Sequence, residues 1–131
     1  IDTGAWSSKA IKEAKKYGEV IVAASSKDKN YSYIPDCSDL DIPEETDYVY
    51  ICENETINGT TWNKLPNTKG HVLVSDQSSM FLSKPCNVAD YGLIWAGVQK
   101  KAGHGWYGDR HHPRGSDPRR SGPQDPHLHE V

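Results

Sequence analysis

Long apolar runs are missing from this sequence: the most extended are a few residues each, such as Val20 to Ala24. A membrane-spanning helix needs roughly 20 apolar residues and the core of a secretory signal about 7 to 15, so neither is expected. Large apolar side chains are scarce as well. One Phe and one Met stand among 131 residues, the apolar share is 35% and the mean hydropathy is −0.76, which leaves material for one domain at most. Basic excess is also lacking. Residues 1–103 carry 11 Lys or Arg against 14 Asp or Glu, residues 104–131 carry four of each sign, and the net charge is −3, so no face for nucleic acid is implied.

Cysteine is sparse and odd in number. Cys37, Cys52 and Cys86, spaced by 15 and 34, fit neither a disulfide framework nor paired zinc ligands, so a reducing, cytoplasmic location is expected. Three Asn-x-Ser/Thr triplets, at Asn30, Asn54 and Asn58, would be glycan acceptors in a secreted protein, the competing reading. The chain opens on Ile1 rather than Met and is read as a piece of something longer.

What is present over residues 1–103 is an alternation of helix and strand signals, the pattern of an α/β chain with a mainly parallel sheet covered by helices. Ser7 or Ser8 is expected to cap a helix whose apolar stripe runs through Ala10, Ile11, Ala14 and Tyr17, with Gly18 ending it. Val20 to Ala24, apolar and rich in β-branching, reads as a strand buried on both faces. Similar runs recur at Tyr48 to Cys52, His71 to Ser75 and Gly92 to Ala96. Parallel sheets hold ligands at the carboxyl ends of their strands, so the polar residues there are site candidates. Each alone would suit an ordinary turn or cap. The set of Thr56, Asp76 and Lys100, each just beyond a separate strand, points to a site.

Residues 104–131 break with this pattern. Four Pro, four Gly and five His fall in 28 residues, with Trp106, Tyr107, Leu128 and Val131 the only sizeable apolar groups, so a disordered tail is expected. Its histidines, His104, His111, His112, His127 and His129, have irregular spacing and no supporting Cys or carboxylate pattern, and no metal site is assigned to them.

Four motifs in order carry a resemblance. They are Thr3-Gly4-Ala5-Trp6-Ser7, Cys52-Glu53-Asn54-Glu55-Thr56-Ile57-Asn58-Gly59, Ser75-Asp76-Gln77-Ser78-Ser79 and Ala96-Gly97-Val98-Gln99-Lys100. With the intervening Ala14 to Tyr17, Phe81 to Pro85 and Asp90 to Ile94, residues 1–103 resemble the phosphoserine aminotransferases. The resemblance implies part of a three-layer αβα sandwich, the large domain of a fold-type-I enzyme that uses pyridoxal 5′-phosphate. It implies Lys100 as the residue that joins the cofactor aldehyde and moves the substrate α-proton. Asp76 would pair with the protonated pyridine nitrogen, Trp6 would stack on the ring, Thr56 would meet the cofactor's oxygen edge and Gln99 its phosphate. The implied reaction moves an amino group from glutamate to a phosphorylated keto acid, 3-phosphohydroxypyruvate, in a homodimer, with neither nucleic acid nor membrane as partner.

Departures from the family are specific. Its upstream Gly-Gly loop, its downstream Asn-Thr pair and its small C-terminal domain have no counterpart here, Gln77 stands where Met or Phe is usual, and Val98 where Ala is usual. After Lys100 the family continues into a long apolar strand. Trp106 to Pro118 can be written in codons that, read one base later, spell Gly-Met-Val-Thr-Val-Ile-Ile-Arg-Glu-Asp-Leu-Ile, so the tail is read as a frameshift. The alternative function is a non-catalytic binding module derived from an aminotransferase domain, with the tail as a recruiting segment.

Overall fold

The β-branched and aromatic runs near positions 50, 74 and 94 form one parallel sheet. The computed structural model describes residues 1–97. Within them β1 (Tyr48–Cys52), β4 (Val72–Asp76) and β5 (Leu93–Trp95) lie side by side, with β4 in the centre. Between β1 and β4, Asn54–Glu55 (β2) and Thr60–Thr61 (β3) form a small antiparallel hairpin. Its turn needs a left-handed residue, and Gly59, at φ 72°, supplies it without a Cβ to clash. The register sets Cys52 against Asp76 and Asp76 against Trp95, so the carboxyl ends of all three long strands finish on one line.

The two faces of this sheet differ. Val49, Ile51 and Leu73 point to a core completed by Ile1, Cys37, Leu40 and Trp62. Burying an aliphatic side chain of this size contributes about 1.5–3 kcal/mol. Their strand neighbours Tyr48, Val72, Leu93 and Trp95 are 50, 49, 54 and 47% exposed. The expectation of strands buried on both faces is therefore corrected: successive side chains alternate, and among the described residues the segments packed on the sheet cover one face.

The helix also begins earlier than expected. α1 spans Ala5–Ala14 with Gly4 as N-cap and Lys15 as C-cap, so Ser7 and Ser8 lie inside it. Ser7 turns back instead, its Oγ accepting the N–H groups of Thr3 and Gly4, both at 2.9 Å. Tyr17 falls beyond the last turn and is 88% exposed, which removes it from the apolar stripe. Gly18 does not end the helix either: the C-cap is Lys15, and Gly18 follows three residues later in the turn, donating its N–H to the Ala14 carbonyl at 3.1 Å.

Val20 to Ala24 is not a doubly buried strand. The segment is held to Asp2 by one bridge at Ser25, with Asp2 donating to the Ala24 carbonyl and Ser26 to that of Asp2, while Ile21 and Val22 stay exposed. Its composition suits a central strand. Among the described residues it has no strand ladder on either edge, so Ala23 and Ala24 pack against the core while Ile21 and Val22 do not. The three cysteines are free, Cys37 and Cys52 buried and Cys86 exposed. No helix among the described residues is long and apolar enough to cross a membrane.

Candidate functional site

Asp76 is the last residue of the central strand, the position from which a side chain reaches the crevice beyond a parallel sheet. Its carboxylate is held on one side only. Oδ1 accepts the backbone N–H of Ser78 at 2.9 Å and the Ser78 hydroxyl at 2.6 Å, while Oδ2 accepts no hydrogen bond among the described residues. Ser78 is itself anchored, since its Oγ accepts the N–H of Gly97 just past β5 at 2.8 Å. A carboxylate fixed through one oxygen and open at the other is built to receive one further donor.

Trp6 and Thr56, fifty positions apart, meet directly. The indole Nε1 donates to Thr56 Oγ1 at 3.1 Å. Lys9, one turn further along α1, places its ammonium 4.4 Å from the indole centroid, a cation–π contact, and the indole is 40% exposed. Beneath them lies Glu55, fully buried, whose Oε2 accepts the N–H of Trp6 at 2.9 Å and whose Oε1 accepts that of Ser7 at 2.8 Å. Asn58 adds its Oδ1 to the N–H of Ala5 at 3.0 Å. The amide oxygen of Asn58 and the whole Asn54 amide, bonded to Ser79 and Thr61, thus serve the internal structure, which argues against a glycan at either triplet.

The loops after β1 and β4 are tied to each other. Ser79 Oγ accepts from Asn54 Nδ2 at 2.7 Å and donates to the Asn54 carbonyl at 2.9 Å. Glu53, 2% exposed, accepts from three donors: Ser75 Oγ and Gln77 Nε2 on Oε2, both at 2.7 Å, and the Tyr91 hydroxyl on Oε1 at 3.0 Å. Burial, and then the negative Glu53 beside it, push the Tyr91 phenol above its ordinary value. Cys52, opposite Asp76, has a thiol pushed up to about 12 by burial and by the neighbouring Glu55 and Asp76 carboxylates. It is a packing residue at ordinary pH, not a nucleophile.

Trp6, Thr56 and Asp76 therefore stand at one end of the sheet, joined through residues 53–55 and 78–79. Thr56 is displaced from the strand end where the sequence put it, following β2 rather than β1, and Asp76 closes β4 instead of lying beyond it. Gln99 and Lys100 lie outside the described residues, as do Val98 and the tail with its histidines and its frameshift reading. The sequence reading missed Glu53, Glu55 and Ser78. Two carboxylates in the Cys52 to Thr56 motif, with no Lys or Arg nearby in sequence, were the available signal that buried donors must meet them. A groove of about 470 Å³ elsewhere, lined by Tyr33, Ile34, Cys37, Trp62 and Leu65 among others, contains none of these groups.

A pyridoxal ring, the group the resemblance implies, suits this donor set. Asp76 Oδ2 would meet the proton of the ring nitrogen. The Thr56 hydroxyl, which accepts from Trp6 and donates to no described residue, has a hydrogen to offer a ring oxygen, and the indole supplies a flat apolar surface.

Comparison with known proteins identifies the family. The sequence model of the aminotransferase class-V family matches residues 1–105. A phosphoserine aminotransferase of Marinomonas sp. (strain MWYL1) is 52% identical over 103 residues, 79% of this chain and 28% of that protein. The solved phosphoserine aminotransferase of Bacillus circulans subsp. alkalophilus superposes with a TM-score of 0.73 at 40% identity, over 76% of this chain and 28% of that one. A phosphoserine aminotransferase of Trichomonas vaginalis, solved with PLP bound, superposes with a TM-score of 0.59 at 30% identity over 76% of this chain and 29% of its own. The chain thus spans 28% of the length of the relative from Marinomonas.

Proposed function

The chain belongs to the class-V aminotransferase family, and on that premise we propose that it carries the ring-binding part of a pyridoxal-phosphate transamination site. The observation that carries the reading is the Asp76 carboxylate at the end of the central strand, fixed through Oδ1 and, among the described residues, open at Oδ2. When bound, pyridoxal phosphate supplies a cationic ring that accepts electrons from the carbon losing its proton. Asp76 holds the proton on the ring nitrogen. Trp6 covers the ring plane and keeps water from it, and Thr56 donates to its oxygen edge. Gln99 holds the phosphate through its amide, and Lys100 anchors the cofactor and moves the substrate α-proton.

For the whole protein the reading is transfer of an amino group from glutamate to 3-phosphohydroxypyruvate, giving phosphoserine and 2-oxoglutarate, by a cytoplasmic homodimer. The support is the name shared by the relatives that match residues in and around the site. Residues 1–131 span 28% of the length of such a relative, and by themselves they should bind the cofactor weakly and show no measurable transfer.

The test is to mix the 131-residue chain with pyridoxal phosphate, reduce with borohydride and map the labelled peptide. Label concentrated on Lys100 supports the assignment. Label on Lys101, or spread over the surface lysines in proportion to their exposure, overturns it.

A further inference from the structure

We infer that Glu55 is the positioning residue of this site: its carboxylate clamps the first turn of α1 so that the Trp6 indole fixes the Thr56 hydroxyl as an outward hydrogen-bond donor. The ligand half of this inference rests on the reading above; the clamp does not.

The first N–H groups of a helix have no partner within it and are ordinarily left to water or a short capping side chain. Here every backbone N–H from Thr3 to Ser8 is taken. Ser7 Oγ serves Thr3 and Gly4, Asn58 serves Ala5, Glu55 serves Trp6 and Ser7, and the Gly4 carbonyl serves Ser8. The helix N-terminus, positive through its aligned peptide dipoles, is thereby occupied by this chain's own carboxylate, which explains how Glu55 is fully buried with no cation beside it among the described residues. It also means that α1 offers no vacant N–H groups to a ligand phosphate.

The geometry closes a loop. Residue 55 accepts from the backbone of residue 6, and residue 56 accepts from the side chain of residue 6. Moving the Glu55 carboxylate must move the indole relative to the hydroxyl. With one Thr56 lone pair taken by the indole N–H, the hydroxyl hydrogen is directed away from Trp6, the polarity needed to meet an anionic ring oxygen. Gly4 leaves room for the clamp: a Cβ there would lie 2.5 Å from Glu55 Cδ and 2.7 Å from Asn58 Oδ1. Asp at position 55 would fall short of both N–H groups. Gln would bring one acceptor and set its NH₂ against the second N–H.

The test uses the full chain. In the unsubstituted protein, the Trp6 and Ser7 amides should exchange with deuterium at least about tenfold more slowly than in an unstructured peptide, although both are first-turn helix donors. Free exchange at both would overturn the inference without any variant. In Glu55→Gln, that protection should be lost and the Trp6 indole resonance, assigned through Trp6→Phe, should move. The Trp62 indole, buried in the core, should stay in place and report an intact fold. Loss of the Trp62 signal would pass the decision to Gly4→Ala, which displaces the carboxylate while keeping it. An unmoved Trp6 indole in a folded variant refutes the clamp. Pyridoxal phosphate, followed by fluorescence quenching, should bind Glu55→Gln and Thr56→Val each about tenfold more weakly, with little further loss in the double variant. Additive losses would show that Glu55 does not act through Thr56. Failure of the unsubstituted chain to bind would count against the proposed function, and the exchange and indole results would still decide the clamp.

Discussion

Gln77 donates its side-chain amide to the buried Glu53 carboxylate, Nε2 to Oε2 at 2.7 Å. The bond crosses from the residue after β4 to the residue after β1, one position from Asp76. Gln77 thereby secures the turn that aims Asp76, with its own N–H donated to the Trp95 carbonyl at 2.9 Å. A position at which the resemblance leads one to expect Met or Phe is polar here because a buried carboxylate faces it.

Gln77→Met should therefore destabilise the chain, despite restoring the residue usual in the family. It leaves Glu53 short of one of three donors, and an under-satisfied buried group costs about 1–3 kcal/mol. Glu53→Gln combined with Gln77→Met removes the charge and should recover part of the loss. Urea denaturation of the two variants and the unsubstituted chain measures this, and equal stability of Gln77→Met and the unsubstituted chain would show that the bond contributes nothing.

Asp76→Ala should weaken pyridoxal phosphate binding about tenfold or more, because a charge-assisted hydrogen bond is lost. Asp90→Ala, at an exposed carboxylate bonded to Asn87 at 3.0 Å, should change binding less than about twofold. Equal effects in a titration of both variants would sink the pairing assigned to Asp76.

Ser78→Ala removes the hydroxyl that joins Asp76 Oδ1 to the N–H of Gly97. We expect a stability loss of about 1–2 kcal/mol and weaker cofactor binding without loss of the Lys100 label. Binding unchanged in a folded Ser78→Ala chain would mean that Asp76 needs no such support.

Alkaline pH should unfold the chain progressively. The Cys52 thiol is raised from 9.0 to about 12, so between those values the folded state holds a proton that the unfolded state has released. Stability from this group is complete below pH 9 and falls as pH rises towards 12, with a slope of at most about 1.4 kcal/mol per pH unit. Tyr91, raised from 10.0 in the same direction, adds to the slope above pH 10. Cys52→Ala should flatten the dependence between pH 9 and 10, as read by urea midpoints at stepped pH. An unaltered slope would show that the thiol is not buried as described.

The α/β class, the three parallel strands and the family were legible in the sequence itself. Tyr48 to Cys52, the run ending near Ser75 and that within Gly92 to Ala96 are short and β-branched or aromatic, and such segments become strands wherever partners exist. The motifs around Trp6, Thr56 and Asp76 carried the resemblance. What composition could not decide was pairing. Val20 to Ala24 is apolar and β-branched as a strand should be, yet among the described residues it has no strand ladder on either edge and leaves Ile21 and Val22 exposed, since burial belongs to a strand's neighbours and not to its residues. Nor could local signals start α1 correctly: Ser7 is an ordinary cap by type, but its hydroxyl turns back to Thr3 and Gly4 while the helix takes its true cap from Glu55, some fifty residues away. The sequence by itself determined the α/β class, the three parallel strands and the candidate site residues. Only the tertiary structure decided which carboxylates are buried, which donors meet them and which oxygen of Asp76 is left open, because those are distances between residues remote along the chain.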